Sequence, residues 1–299
     1  MVWLIHKNSD IMSSFSGIWV ALATPLRNGE IDFASLDRLV QRLLADGAAG
    51  LVVCGTTGEA AALSEDEQLA VLDAVLRQAA PHQVIMGLAG NQLNALLDRQ
   101  REIQRRPLAG LLVPAPYYIR PSQAGLEHFF TTLADAASVP LVLYDIPYRT
   151  GVRIERDTLR RIVRHANIAA IKDCAGDAET TMALIADAQV QVLAGEDTQI
   201  FSTLCLGGHG AISASAHVRT DLYARMHACV TQGDLPGARQ LHYRLLPWMQ
   251  AAFCEANPAA LKAALALLGL SSDEVRAPIL PCSPANREQL RQVLEGLAN

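Results

Sequence analysis

Lys172 is the residue best suited to covalent chemistry in this chain. It closes an apolar run of strand length, Asn167-Ile168-Ala169-Ala170-Ile171-Lys172-Asp173. Side chains alternate along a strand, so Lys172, Ala170 and Ile168 are expected on one face, with small Ala170 beneath the lysine. At the carboxyl end of an inner parallel strand, a lysine sits where α/β enzymes keep their chemistry. Apolar walls disfavour its charged form and leave a neutral amine able to attack a ketone. Simple solvation is the commoner fate of a strand-end lysine, so the neighbouring loops must decide.

Those loops are rich in hydroxyls. Gly55-Thr56-Thr57-Gly58-Glu59 follows one apolar run, Pro114-Ala115-Pro116-Tyr117-Tyr118-Ile119-Arg120-Pro121 a second, and Tyr144-Asp145-Ile146-Pro147-Tyr148-Arg149-Thr150-Gly151 overlaps the end of a third. Gly195-Glu196-Asp197 and Ser213-Ala214-Ser215 close two more. The set suits a lysine that condenses with a 2-oxo acid to form an imine, which acts as an electron sink. Hydroxyls, glycine-flanked backbone N–H groups and the Arg149 guanidinium could hold the substrate carboxylate. Proton transfers would run through Thr56, Tyr144 and Tyr118, since no histidine or carboxylate is clearly placed for them. Each residue also has a plain structural role open to it: a tight turn for the glycines, core or interface packing for the tyrosines, a solvated loop for Arg149. Gly207-Gly208-His209-Gly210 precedes a strand, so helix capping is expected of it and not a phosphate cradle. His128, His165 and His217 read as structural.

The elements that must position these groups alternate. Strand-like runs occupy 19–23, 50–54, 83–87, 110–113, 141–144, 168–172, 190–194 and 210–213. Helical patterns cover 35–46, 64–79, 93–105, 123–137, 154–164, 179–188, 198–206 and 221–232, and Ser64 with Glu67 forms a capping box. Such an α/β alternation predicts a parallel sheet, and eight strands close a (β/α)8 TIM barrel. Three more helices, over 236–253, 258–268 and 287–297, form a C-terminal helical extension, with Pro236 and Pro258 in first turns. The expected division is an N-terminal extension over 1–16, the barrel over 17–232 and a helical appendage over 233–299.

Composition narrows the function. Hydrophobic residues make up 51% and charged residues 18% of the 299, enough for a large core. The net charge of −5 argues against nucleic acid or an anionic membrane as partner. Six dispersed cysteines with no C-x-x-C, and histidines without ligand spacing, suit reduced thiols in a cytoplasmic enzyme without a metal. The N-terminal apolar patch is too short for a signal peptide, and glycines break the uncharged stretch after Asp197 into two soluble elements instead of a membrane span.

The motifs together resemble the dihydrodipicolinate synthase family, of the superfamily that includes N-acetylneuraminate lyase. The resemblance rests on Gly55-Thr-Thr-Gly-Glu59, Pro116-Tyr-Tyr118, Arg120-Pro-Ser-Gln123, Tyr144-Asp-Ile-Pro-Tyr-Arg-Thr-Gly151, Ile171-Lys-Asp173, Leu206-Gly-Gly-His-Gly210 with Ile212-Ser213, and Glu255-Ala-Asn-Pro258. It implies a Schiff base between Lys172 and pyruvate, with Tyr144, Thr56 and Tyr118 as the proton relay and Tyr118 reaching in from a neighbouring subunit. Thr57 would hold the pyruvate carboxylate and Arg149 that of the aldehyde, aspartate semialdehyde. Gly195 and Ile212 would line the site through backbone groups. A homotetramer built from dimers, with no metal or diffusible cofactor, follows from the same likeness.

Differences from the family pattern cluster beside the second substrate. Asp145 and Tyr148 stand where asparagine and a small residue are usual, and Cys174-Ala175 replaces a pair carrying a hydroxyl. The pocket that binds lysine in inhibited relatives uses a serine, two histidines and a glutamate, against Ala60, Glu65, Gln68 and Ala95 here; weak or absent feedback is expected. Two other readings stay open: a sister aldolase or lyase with another 2-oxo acid or aldehyde, and a non-catalytic barrel that binds a carboxylate.

Overall fold

Eight apolar, mostly fully buried strands pair in parallel and close on themselves. They are β1 (Gly17–Ala21), β4 (Gly50–Val53), β5 (Val84–Gly87), β6 (Gly110–Pro114), β7 (Leu141–Asp145), β8 (Ile168–Asp173), β9 (Gln191–Ala194) and β10 (Gly210–Ser213). Around the barrel the order is β1-β10-β9-β8-β7-β6-β5-β4. The structure, a computed structural model, describes residues 15–298, so most of the expected N-terminal extension lies outside the described residues. Phe15, within that expected extension, is fully buried, its ring 5.7 Å from that of Trp19.

Helices follow the strands and lay their apolar stripes on the barrel. α1 (Phe33–Ala45) is capped by Asp32, which accepts from Ser35 N, and buries Leu36, Leu39, Val40 and Leu43. α2 (Glu65–Leu76) carries the expected capping box of Ser64 and Glu67. α3 (Leu93–Ile103), α4 (Gln123–Asp135), α5 (Pro147–Thr150), α6 (Arg156–Ile162), α7 (Ala178–Asp187), α8 (Ile200–Cys205) and α9 (Thr220–Thr231) complete the layer. Of the last helices, α10 (Leu235–Ala251), α11 (Ala259–Leu267) and α12 (Pro284–Ala298), the first packs on α9, and α12 packs on both α10 and α11. No helix among the described residues is long and apolar enough to cross a membrane.

Three local expectations change. The alternation along β8 is interrupted: Ile168 pairs with Leu141 and Ala170 with Val142, leaving Ala169 over, so the face of Lys172 can be counted back only to Ala170. A hairpin of β2 (Leu26–Arg27) and β3 (Glu30–Ile31) went unpredicted, although Asn28-Gly29, with φ of 56° and 84°, is the pair a two-residue turn demands. Pro258 precedes α11 instead of standing in its first turn, after a cis Asn257–Pro258 bond. The glycines at 207–208 do cap a helix: Gly207 N donates to Leu204 O and Gly208 N to Thr203 O, closing α8. His217 is structural too, since its ring accepts from Ala23 N and bonds Ala214 O, and burial pushes it down to about 4.

Candidate active site

The carboxyl ends of the strands converge on a pocket of about 280 Å³ whose lining includes Thr56, Thr57, Tyr144, Arg149, Lys172 and Gly195. Register explains the central pair. Tyr144 and Lys172 are Cα partners on the neighbouring strands β7 and β8, and the Lys172 Nζ lies 4.2 Å from the centroid of the Tyr144 ring. Lys172 is 7% exposed and Tyr144 6%, so both side chains are buried in the wall of the pocket and not spread on the outer surface. Burial pushes the Tyr144 phenol well up, against the pull of the Thr56 hydroxyl and the Arg149 guanidinium. The phenol therefore holds its proton and is available to give it.

Gly195 owes its identity to crowding. A Cβ there would lie 2.2 Å from the Cys174 sulfur and 3.0 Å from Lys172 Cγ. Its amide is already committed to Asp173 O at 2.8 Å, so any backbone service it gives a ligand falls to its carbonyl. Asp145 and Asp173 sit in register immediately beyond Tyr144 and Lys172. Burial, reinforced by the Asp173 charge, pushes Asp145 up to about 7. Behind the pocket Asp197 is buried, its Oδ2 accepting from Ser215 N at 2.7 Å, and burial raises it too.

The threonine loop is held from the other end of the chain. Thr57, 3% exposed, accepts from Asn257 Nδ2 at 3.0 Å. Glu59 adopts a left-handed conformation at φ 56°, accepts from Arg276 N at 2.8 Å, and forms a buried ion pair with Lys262 of α11. Lys262 also donates to Glu274 O at 2.8 Å. Burial pulls the Lys262 ammonium down and the Glu59 carboxylate pulls it back up.

Two expected residues are not brought to this pocket within one chain. Tyr118 stands 89% exposed on the Pro114–Pro121 loop, fixed only through its backbone, whose N–H bonds Thr150 O at 3.0 Å. Ile212 is fully buried in β10, and the wall beyond it is made by Ala214. Conversely, Tyr148, Glu196 and Asn257 line the pocket with no role foreseen for them. Asn257 was visible only as part of a motif, and Lys262 only as a single charge inside an apolar helix.

Comparison with known proteins agrees over nearly the whole length. The Dihydrodipicolinate synthetase family matches residues 14–297. A 4-hydroxy-tetrahydrodipicolinate synthase of Syntrophobacter fumaroxidans is 39% identical over 285 residues, covering 94% of this chain and 98% of that protein. Among solved structures, a chloride-inhibited dihydrodipicolinate synthase from Acinetobacter baumannii, complexed with pyruvate, superposes with a TM-score of 0.92 at 32% identity, over 95% of this chain and 99% of that one. The first monomeric dihydrodipicolinate synthase variant gives 0.92 at 33% identity, over 96% and 98%. A match of this extent at this identity, on the same closed barrel, places the chain in the dihydrodipicolinate synthetase family.

Proposed function

We propose that this pocket condenses pyruvate with L-aspartate 4-semialdehyde to 4-hydroxy-tetrahydrodipicolinate, as a class I lyase working through an imine on Lys172. The observation that carries the reading is the buried Lys172 side chain beside the Tyr144 ring, at the carboxyl end of a barrel strand. The amine attacks the ketone carbon of pyruvate. The carbinolamine then loses its hydroxyl as water, taking the proton that Tyr144 holds, with Thr56 beside it. The imine draws electrons from the adjacent methyl carbon, which sheds a proton and attacks the aldehyde carbonyl. Attack of the aldehyde's own amine on the imine carbon closes the ring and frees Lys172.

Thr57 is assigned to the pyruvate carboxylate and Arg149 to the carboxylate of the second substrate, a contact worth more in an enclosed site than in water. Gly195 and Ile212 are assigned to line the site through backbone groups, with close approach possible at the glycine. The imine is itself the electron sink, so the reading requires no metal or diffusible cofactor. Tyr118 completes the relay from a second copy in a homotetramer built of dimers, and we place the enzyme in the cytoplasm. Pyruvate with borohydride should leave a stable adduct on Lys172, absent in Lys172→Ala. A coupled assay with aspartate 4-semialdehyde should show turnover. An adduct without turnover would transfer the reading to a sister aldolase; no adduct would end it.

A further inference from the structure

The exposed rim of the pocket carries one contact that the reaction as described does not use. Tyr148 of α5 donates its hydroxyl to Glu196 Oε1 at 3.0 Å. Tyr148 follows β7 and Glu196 follows β9, and the strand between them in the barrel is β8, which ends in Lys172. The bond therefore spans from one side of the lysine's strand to the other. The Arg149 guanidinium carbon lies 5.8 Å from the centroid of the Tyr148 ring, close enough for a cation–π contact. Tyr148, Arg149, Lys172 and Glu196 all line the same pocket.

We propose that Tyr148 and Glu196 form a strap that selects the second substrate, admitting a short, unbranched aldehyde whose carboxylate meets Arg149. The inference rests on the imine-forming reading and adds the basis of its selectivity. The ring takes space above the lysine that a bulky aldehyde would need, and it steadies the guanidinium that would hold the small one. The tether to Glu196 keeps the ring from swinging into solvent, towards which Tyr148 is 65% exposed. A site of fixed shape discriminates by the atoms it cannot accommodate, and a single methylene is worth about 10–200-fold in kcat/KM.

The test measures kcat/KM with pyruvate and either aspartate 4-semialdehyde or 2-carboxybenzaldehyde, a bulky aldehyde that also carries a carboxylate. In Tyr148→Ala the preference for the smaller aldehyde should fall by about tenfold or more. Tyr148→Phe and Glu196→Ala should each lower it less. Their double variant should go no further than either, because both cut the same bond. Glu196→Gln, whose amide oxygen still accepts, should keep the preference of the native protein. An unchanged ratio in Tyr148→Ala, or additive losses in the Phe–Ala pair, overturns the strap; if Tyr148→Ala fails to fold, the Phe and Gln variants decide. Borohydride trapping on the unaltered protein separates the two levels. An adduct with an unchanged ratio sinks the strap alone, and no adduct sinks the underlying reading and the strap with it.

Discussion

The two sides of the barrel mouth are built in opposite ways. On one side the loop from Gly55 to Glu59 is locked: Asn257, Lys262 and Arg276, all from the last part of the chain, hold Thr57 and Glu59 through one buried ion pair and two half-buried hydrogen bonds. On the other side the loop from Pro114 to Pro121 displays Tyr117, Tyr118 and Ile119 at 43%, 89% and 56% exposure. Tyr118 and Arg120 there hold φ of 71° and 47°, a conformation non-glycine residues keep only when their surroundings demand it. The contrast teaches that one chain by itself holds in place the threonine loop, the part of the pocket assigned to a carboxylate. Of the residues assigned to the proton relay, Thr56 and Tyr144 line the pocket, and Tyr118 alone is presented outward.

The largest effect should come from unlocking the threonine loop. Lys262→Met leaves the Glu59 carboxylate buried without its partner, which costs about 3–5 kcal/mol when one member of a buried pair is removed. The urea midpoint should drop accordingly. The double variant Glu59→Gln/Lys262→Met should recover much of the loss, since it leaves no buried charge unpaired. Equal loss in both would mean that shape, and not charge, holds the loop.

Next comes a buried carboxyl at the end of β7. Asp145 is pushed up to about 7 by burial and by the Asp173 charge. Between about 4 and 7 the unfolded chain has released this proton while the native one still keeps it, so the native state is progressively destabilised as pH rises through that window. A displacement of about three pH units corresponds to roughly 4 kcal/mol at most. Asp145→Asn should therefore raise the melting temperature more at pH 8 than at pH 5. Comparing the variant with the native protein at each pH cancels His217, whose contribution has the opposite sign: held down at about 4, it favours the native state more as pH rises towards 6.5.

How much of this was legible follows from where the contacts close. The lysine strand, the barrel count and the Ser64–Glu67 capping box are local patterns, carried by neighbours in the chain. The hairpin at Asn28-Gly29 is equally local, but its strands of two residues each carry too short a pattern to announce it. Asn257 lies 200 residues from Thr57 and Lys262 about as far from Glu59, so no periodicity links them. Ile212 rests on the family likeness alone: its side chain is buried in β10, and only its backbone is left to serve the site. The strap was hidden for the same reason, since Tyr148 and Glu196 meet only because β8 lies between their strands.

Subunit mixing sharpens the comparison directly. Tyr118→Phe should lower kcat about a hundredfold, the scale of losing a positioned proton donor. Mixed with Lys172→Ala chains and refolded together, it should regain activity, because a hybrid can join an intact lysine to a tyrosine from the other copy. Asn257→Ala, which frees Thr57 within its own chain, should raise the pyruvate KM by a smaller factor. No mixture with Lys172→Ala should repair it. Rescue of the asparagine variant, or none of the tyrosine variant, would reverse the assignment of the two sides.

The smallest expected effect is none at all. Next to the exposed loop lies a second pocket of about 220 Å³, whose lining includes Glu65, Gln68, Asn91, Gln92, Ala95 and Arg99. A bound lysine would need acceptors for two ammonium groups and a donor for its carboxylate. Glu65 is the single carboxylate in that lining and already faces Arg99, 3.7 Å away, in the first turn of α2, where its charge favours the helix. The Gln68 amide is committed to Ala60 O and Leu63 O, and the Asn91 side-chain oxygen to Tyr117 N. A ligand that must displace those bonds gains little, and it can inhibit only if it binds one conformation of the tyrosine loop better than another. Initial rates should therefore stay flat as lysine is raised into the millimolar range. Inhibition at micromolar lysine would show that the open side of the mouth is a regulated surface. A rise in melting temperature without inhibition would show binding that is uncoupled from the site.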